Sequence, residues 1–196
     1  MERWDFDGWA RSYDEDVTKE DWIHRDYEKV LKLVAERATG LVVDIGCGTG
    51  NILHFLNCKG YIGVEPSKGM RRKFAEKHGF EPLDGHFLAL PLPDGVADTV
   101  ISTYTFHHVP DGEKEDAIRE MLRVLKPGGK VVIADVMFES REEKRRIAEE
   151  DGITEEIEDE YFATLTHLRG ICRKLELECS FERINRYVWV GEIKKQ

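Results

Sequence analysis

Val42-Val43-Asp44-Ile45-Gly46-Cys47-Gly48-Thr49-Gly50-Asn51 decides the fold. The run from Leu41 to Ile45 is apolar except for Asp44 and stops at a glycine, the pattern of a strand buried on both faces. Glycines at alternate positions then make a sharp turn, because a residue without a Cβ reaches left-handed backbone angles and lets a ligand approach backbone N–H groups. A strand, a glycine-rich turn and a helix together form the nucleotide-binding corner of doubly wound α/β folds. Here the spacing is GxGxG with Asn51 at the sixth position, whereas a dinucleotide fingerprint reads GxGxxG. Asp44, two residues before the first glycine, repels a pyrophosphate but attracts the ammonium of an amino acid. Glu65 lies 21 residues beyond Asp44, at the end of the next apolar run. A carboxylate there accepts hydrogen bonds from both hydroxyls of a ribose.

Outward from this corner, apolar runs alternate with helical patterns, so a parallel sheet wound with helices is expected. Residues 20–37 carry Ile23, Tyr27, Val30, Leu31 and Val34 at helical spacing, with Gly40 as the stop. Strands are expected at 41–45, 61–65, 80–83, 97–102 and 130–136. Helices are expected at 51–56, at 67–79 with Ser67 as cap and Gly79 as stop, at 113–125 before Lys126-Pro127-Gly128-Gly129, and at 160–175. Residues 177–184 and 187–193 read as an antiparallel hairpin turned through Asn185-Arg186. A single domain is expected, with a helical cap at 1–39, a cofactor-binding core at 40–136, and a lid, helix and hairpin at 137–196.

Composition narrows the function. Of 196 residues, 39 are acidic and 29 basic, a formal charge of -10. That balance argues against nucleic acid and against an anionic membrane surface, both of which need a basic footprint. No apolar run approaches the roughly 20 residues of a membrane span, and the acidic start does not read as a signal peptide. Cys47, Cys58, Cys172 and Cys179 show neither paired spacing nor histidines at zinc spacing, so free thiols in a reducing cytoplasm and no metal site are expected. Few Asn and Gln beside abundant Lys, Arg and Glu lean toward a thermophilic source. Residues 139–160 hold 11 acids and 4 bases, a solvated helix face on the simplest reading.

These residues resemble the class I S-adenosylmethionine-dependent methyltransferases, in particular the methyltransferase type 11 group and its YrrT-like branch. The likeness spans nearly the whole chain. It rests on Trp9 to Asp14, Val42 to Asn51, Gly63 to Ser67 with Met70-Arg71, Ser102 to His108, and Arg123 to Gly129. The resemblance implies a Rossmann-like α/β fold with a seven-stranded mixed sheet, order 3-2-1-4-5-7-6, and helices on both faces. It implies S-adenosylmethionine as cofactor and S-adenosylhomocysteine as product. The implied cofactor residues are Asp44, Gly46, Cys47, Gly48, Gly50, Asn51, Glu65, Pro66, Ser67, Met70, His86, Phe87, Thr103 and Tyr104. The family usually places an aspartate at the position of His86, where it accepts from the adenine amino group. A neutral histidine still accepts through one ring nitrogen; Asp84 or the Phe87 backbone N–H are the alternatives.

Ligands of open α/β sheets bind beyond the carboxyl ends of the strands. The strand at 97–102 delivers His107 and His108 there, either as a general base or as passive lining, since methyl transfer often needs little beyond in-line placement. Tyr13 belongs to a segment that in the family folds over the cofactor; its ring either faces the sulfonium or joins Trp4, Trp9 and Trp22 in docking that segment. The lid region is where a small-molecule acceptor would be selected. Two other readings are a non-catalytic cofactor-binding module and an NAD-dependent oxidoreductase, the latter disfavoured by Asn51 and Asp44. Oligomeric state is not legible.

Overall fold

The computed structural model describes residues 5–19 and 21–195; Trp4 lies outside them. Two short helices, α1 (Phe6–Trp9) and α2 (Tyr13–Asp16), precede α3 (Tyr27–Arg37). The core then runs β1 (Leu41–Ile45), β2 (Gly60–Val64), α4 (Lys68–His78), β3 (Ala97–Thr103), α5 (Lys114–Val124) and β4 (Leu125–Phe138). Next come α6 (Arg141–Asp151), α7 (Thr154–Glu158), β5 (Ala163–Thr164), α8 (Leu165–Lys174), β6 (Glu178–Arg183) and β7 (Val188–Lys194).

The sheet order is β2-β1-β3-β4-β7-β6, with β5 added beside the end of β4. β1 pairs in parallel with β2 and β3, and β3 with β4, while β7 runs antiparallel to both β4 and β6. This is the expected seven-stranded mixed sheet, with two local differences. The segment expected as strand three pairs at only one position, Leu83 with Val64, where Leu83 N donates to the Gly63 carbonyl and the Leu83 carbonyl accepts from Glu65 N. The two-residue β5 supplies the seventh strand instead.

Side chains alternate across the sheet. Val100, Val131 and Ile133 face a core built with α5 and α8. Ile101, Val132, Ala134 and Val136 face another built with α3, α6 and α7. Three helical expectations shorten. Residues 21–26 form turns because the Asp21 carboxylate accepts from the His24 backbone and ring, and Asp26 sits at φ 63°. Asn51–His54 is a single 3-10 turn, since the few residues before β2 leave no room to propagate a helix. In the last helix, Thr164 caps through His167 N, so α8 begins at Leu165. Ser67 and Gly79 cap α4 as their residue types require.

Candidate active site

The floor of the site is the β1 turn. The N–H groups of Gly46 and Cys47 both donate to the Val64 carbonyl, at 2.8 and 3.2 Å, which folds the loop back over the end of β2. Glu65 then holds the loop from below. Its two carboxylate oxygens accept from Gly48 N and Ser67 N, each at 2.9 Å. Burial pushes the Glu65 carboxyl above its usual range, and these two N–H groups oppose the shift. Gly46 has φ 69°, and a Cβ there would lie 2.2 Å from Thr105 Cγ2. Gly48 has φ 52°, but a Cβ there would meet only the Tyr13 ring, at 3.8 Å. One glycine is needed for close packing; the other leaves room for a ligand.

The N-terminal segment forms the roof. Asp7 accepts from the Ser67 hydroxyl at 2.6 Å and from Gly69 N at 2.8 Å, at the start of α4. Asp14 accepts from the Thr49 hydroxyl and, at 2.8 Å, from Lys77 Nζ, which also donates to Asn51 Oδ1. Between floor and roof lies a cavity of about 410 Å³. Its largely apolar wall includes Phe6, Trp9, Tyr13, Met70, Phe87 and Tyr104.

Of the expected residues, Tyr13, Gly46, Gly48, Glu65, Pro66, Met70, His86, Phe87, Tyr104, His107 and His108 line this cavity together. Asp44, Cys47, Gly50, Asn51, Ser67 and Thr103 are not among its lining residues. Asp44 accepts from the Tyr61 hydroxyl at 2.8 Å, and its other oxygen is buried with no partner among the described residues. Burial pushes its pKa up to about 7. The Cys47 thiol is buried against Gly63 and driven well above its usual range by desolvation, so it is a small packed side chain. Asn51 is engaged with Lys77 and the Tyr27 hydroxyl. Thr103 gives its carbonyl to the Thr105 hydroxyl.

His86 is turned differently from the expectation. Leu88 N donates to its Nδ1 at 3.3 Å, so the neutral ring carries its proton on Nε2 and donates outward rather than accepting. Asp84 pairs with Arg71 at 3.1 Å and is 72% exposed, away from the cavity wall. Tyr104 holds φ 54°, an angle uncommon outside glycine, and its buried hydroxyl has no partner among the described residues.

The far end of the cavity carries chemistry that the sequence reading missed. Asp135, on β4, accepts from His107 N at 2.8 Å and lies 2.7 Å from His107 Nδ1. A carboxylate only accepts, so Nδ1 carries the proton and Nε2 offers its lone pair. His108 Nδ1 lies 3.3 Å from Glu160 Oε2. Burial lowers the His108 pKa, against the pull of Glu160. Lys114, fully buried, supports the turn from beneath by donating to the carbonyls of Phe106 and Val109. One donor atom each from His107, His108 and Glu160 lie within 4.8 Å of one another. Asp135 did leave a signal: a lone acid inside the apolar run Val131 to Val136. Glu160 left none, being one acid among many.

This corner lies at the switch of an open α/β sheet, where such folds bind nucleotides, and it is roofed and joined to a histidine-lined pocket. Residues 43–133 match the methyltransferase domain family model of the type 11 group. An uncharacterized methyltransferase of Geobacillus kaustophilus is 40% identical over 97% of this chain and 95% of its own length. The chain belongs to this methyltransferase family. Among solved structures, a Thermotoga maritima S-adenosylmethionine-dependent methyltransferase described as a possible histamine N-methyltransferase superposes with TM-score 0.68, at 25% identity over 97% of each chain. The DhpI complex with SAM and HEP superposes with TM-score 0.73, at 22% identity over 96% of this chain and 93% of the other. S-adenosylmethionine is the cofactor. The space above Gly48 and the buried Glu65 carboxylate suit a nucleoside bound there.

Proposed function

We propose that the protein transfers the methyl group of S-adenosylmethionine to a small-molecule acceptor and releases S-adenosylhomocysteine. The observation that carries this reading is the single cavity that joins the Gly48–Glu65 floor to the His107–His108 end. Glu65, already held by two backbone N–H groups, has lone pairs left for the ribose hydroxyls. His86 donates through Nε2 to a ring nitrogen of adenine, with Phe87 beside it. When bound, the cofactor supplies an electrophilic methyl on a sulfonium. Tyr13, Trp9 and Phe6 exclude water from above. Asp135 fixes the His107 ring so that an acceptor's X–H meets the Nε2 lone pair. Residues of the 139–160 segment reach the acceptor end through Glu160, which fits a role in acceptor choice. Reaction in place of mere binding is what separates this reading from a cofactor-sensing module.

The test is a metabolite-library screen of purified protein for S-adenosylhomocysteine production, repeated with His107→Ala on the acceptor found. Turnover should fall by about 10²–10⁴-fold in the variant, while calorimetric affinity for S-adenosylhomocysteine stays within about twofold. Cofactor binding without turnover across the library would make the protein a binding module.

A further inference from the structure

The corner formed by His107, His108 and Glu160 has the donors and the support of a metal centre. We propose that these residues bind a divalent zinc ion at the acceptor end of the cavity, and that the acceptor is correspondingly a hydroxyl or thiol compound. This reverses the expectation drawn from cysteine and histidine spacing: the third donor comes from 52 residues along the chain, a separation that no short motif reports.

Four observations carry the site. First, one donor atom from each residue lies within 4.8 Å of the others, so the side chains must close by about 1 Å or more to reach the roughly 3.3 Å edges of a zinc tetrahedron. Second, the 3.3 Å between His108 Nδ1 and Glu160 Oε2 is longer than a charge-assisted hydrogen bond, at about 2.7–2.9 Å. It equals the edge, roughly 3.3 Å, of a tetrahedron whose corners lie about 2.0–2.1 Å from zinc. Third, Asp135 takes His107 Nδ1 at 2.7 Å, which leaves Nε2 as the free ring nitrogen of a residue that lines the cavity. This is the carboxylate–histidine arrangement that orients zinc-binding imidazoles and raises their basicity. Two histidines and one carboxylate form a donor set of catalytic zinc, with the fourth position open to the cavity. The Phe162 ring, 5.1 Å from that of His107, and the Phe6 ring, 5.0 Å from that of His108, flank the corner.

The fourth observation is electrostatic. Among the described residues lining the cavity there is no Lys or Arg, whereas Glu65, Glu113 and Glu160 all line it. An oxyanion or thiolate formed there would be repelled. A doubly charged ion offsets Glu160 and leaves a net positive charge beside the nucleophile. With His107 Nε2 held as a ligand, the ion replaces the free imidazole as the group that activates X–H, because it makes a hydroxyl or thiol far more acidic at neutral pH. The X–H bond then breaks and its proton leaves to solvent. The electron pair on X forms the bond to the methyl carbon. The carbon–sulfur bond breaks, and its pair stays on sulfur. The methylated product is neutral, so it is a poorer ligand and departs.

The acceptor class rests on the methyltransferase reading; the ion site does not. The test starts from chelator-treated protein titrated with Co²⁺, then Zn²⁺, by absorbance and calorimetry. One equivalent of Co²⁺ should bind with the visible spectrum of a tetrahedral site, and Zn²⁺ should displace it. His108→Ala and Glu160→Gln should abolish that spectrum, and Asp135→Asn should weaken affinity about 10- to 100-fold. Calorimetry with S-adenosylhomocysteine on the same variants reports whether the fold is intact. Absence of Co²⁺ binding by the wild type, or a spectrum retained in both His108→Ala and Glu160→Gln, overturns the proposal. If no ion binds but turnover occurs and is lost in His107→Ala, the free imidazole is the base and the methyltransferase reading stands. If the ion binds and no acceptor is methylated, the site stands and that reading falls.

Discussion

Two carboxylates a strand apart meet opposite fates. Glu65 accepts two backbone N–H groups and lines the cavity, so its charge is held by the loop. Asp44 accepts only the Tyr61 hydroxyl and leaves one oxygen buried and unpaired. Because burial raises its pKa to about 7, the folded protein binds a proton there that the unfolded chain releases above about pH 4. Stability contributed by protonated Asp44 is therefore complete below that pH and is lost as pH rises to about 7. Asp44→Asn keeps the shape and removes the charge. It should be more stable than wild type at pH 8, with the difference vanishing toward pH 4, when urea unfolding is followed at both. An equal difference at the two pH values would mean that Asp44 does not titrate on folding.

At the scale of elements, the N-terminal segment behaves as a roof pinned at two points rather than as a packed helix. α1 and α2 are each 4 residues long, too short to be stable without tertiary contacts. Their anchors are Asp7 on the start of α4 and Asp14 on Thr49 and Lys77. Asp14→Ala should loosen the roof and weaken S-adenosylhomocysteine binding by about tenfold, mainly by faster release. Lys77→Met should act similarly. Since both remove one shared contact, the double variant should be little weaker than either single one. Stopped-flow release rates check this, and additive effects would place the two residues in separate roles.

At the scale of the molecule, the cavity proposed to take the cofactor is lined from the ends of β1, β2 and β3, from α4 and from the N-terminal segment, so a ligand there would tie together parts distant in sequence. Binding to the folded chain alone stabilises it by about 2.7 kcal/mol at a hundredfold excess over Kd. For a chain of this size each kcal/mol moves Tm by roughly 2–4 °C, so S-adenosylhomocysteine should raise Tm by roughly 5–11 °C. NAD at the same concentration should leave it unmoved. A comparable shift with NAD would reopen the oxidoreductase reading.

Local patterns determined the sheet, the glycine turn, the caps of α4 and the place of Glu65, because each depends on residues within a turn or strand of one another. They also pointed to a nucleoside-containing cofactor, since Gly46, Gly48 and Glu65 are joined through one short unit of strand, turn, 3-10 turn and strand; S-adenosylmethionine itself came from the family resemblance. Of the third strand expected at 80–83, only Leu83 pairs with β2, because whether a short apolar run forms a ladder depends on the neighbouring strand and not on the run itself. Only the tertiary structure decided the acceptor end. β4 brings Asp135 under His107, and the chain after α7 returns Glu160 to His108. Neither pairing has a period or spacing, because each is set by how strands and helices pack across the sheet. The direction of the His86 ring was likewise decided by one backbone N–H two residues away, whose geometry composition does not encode.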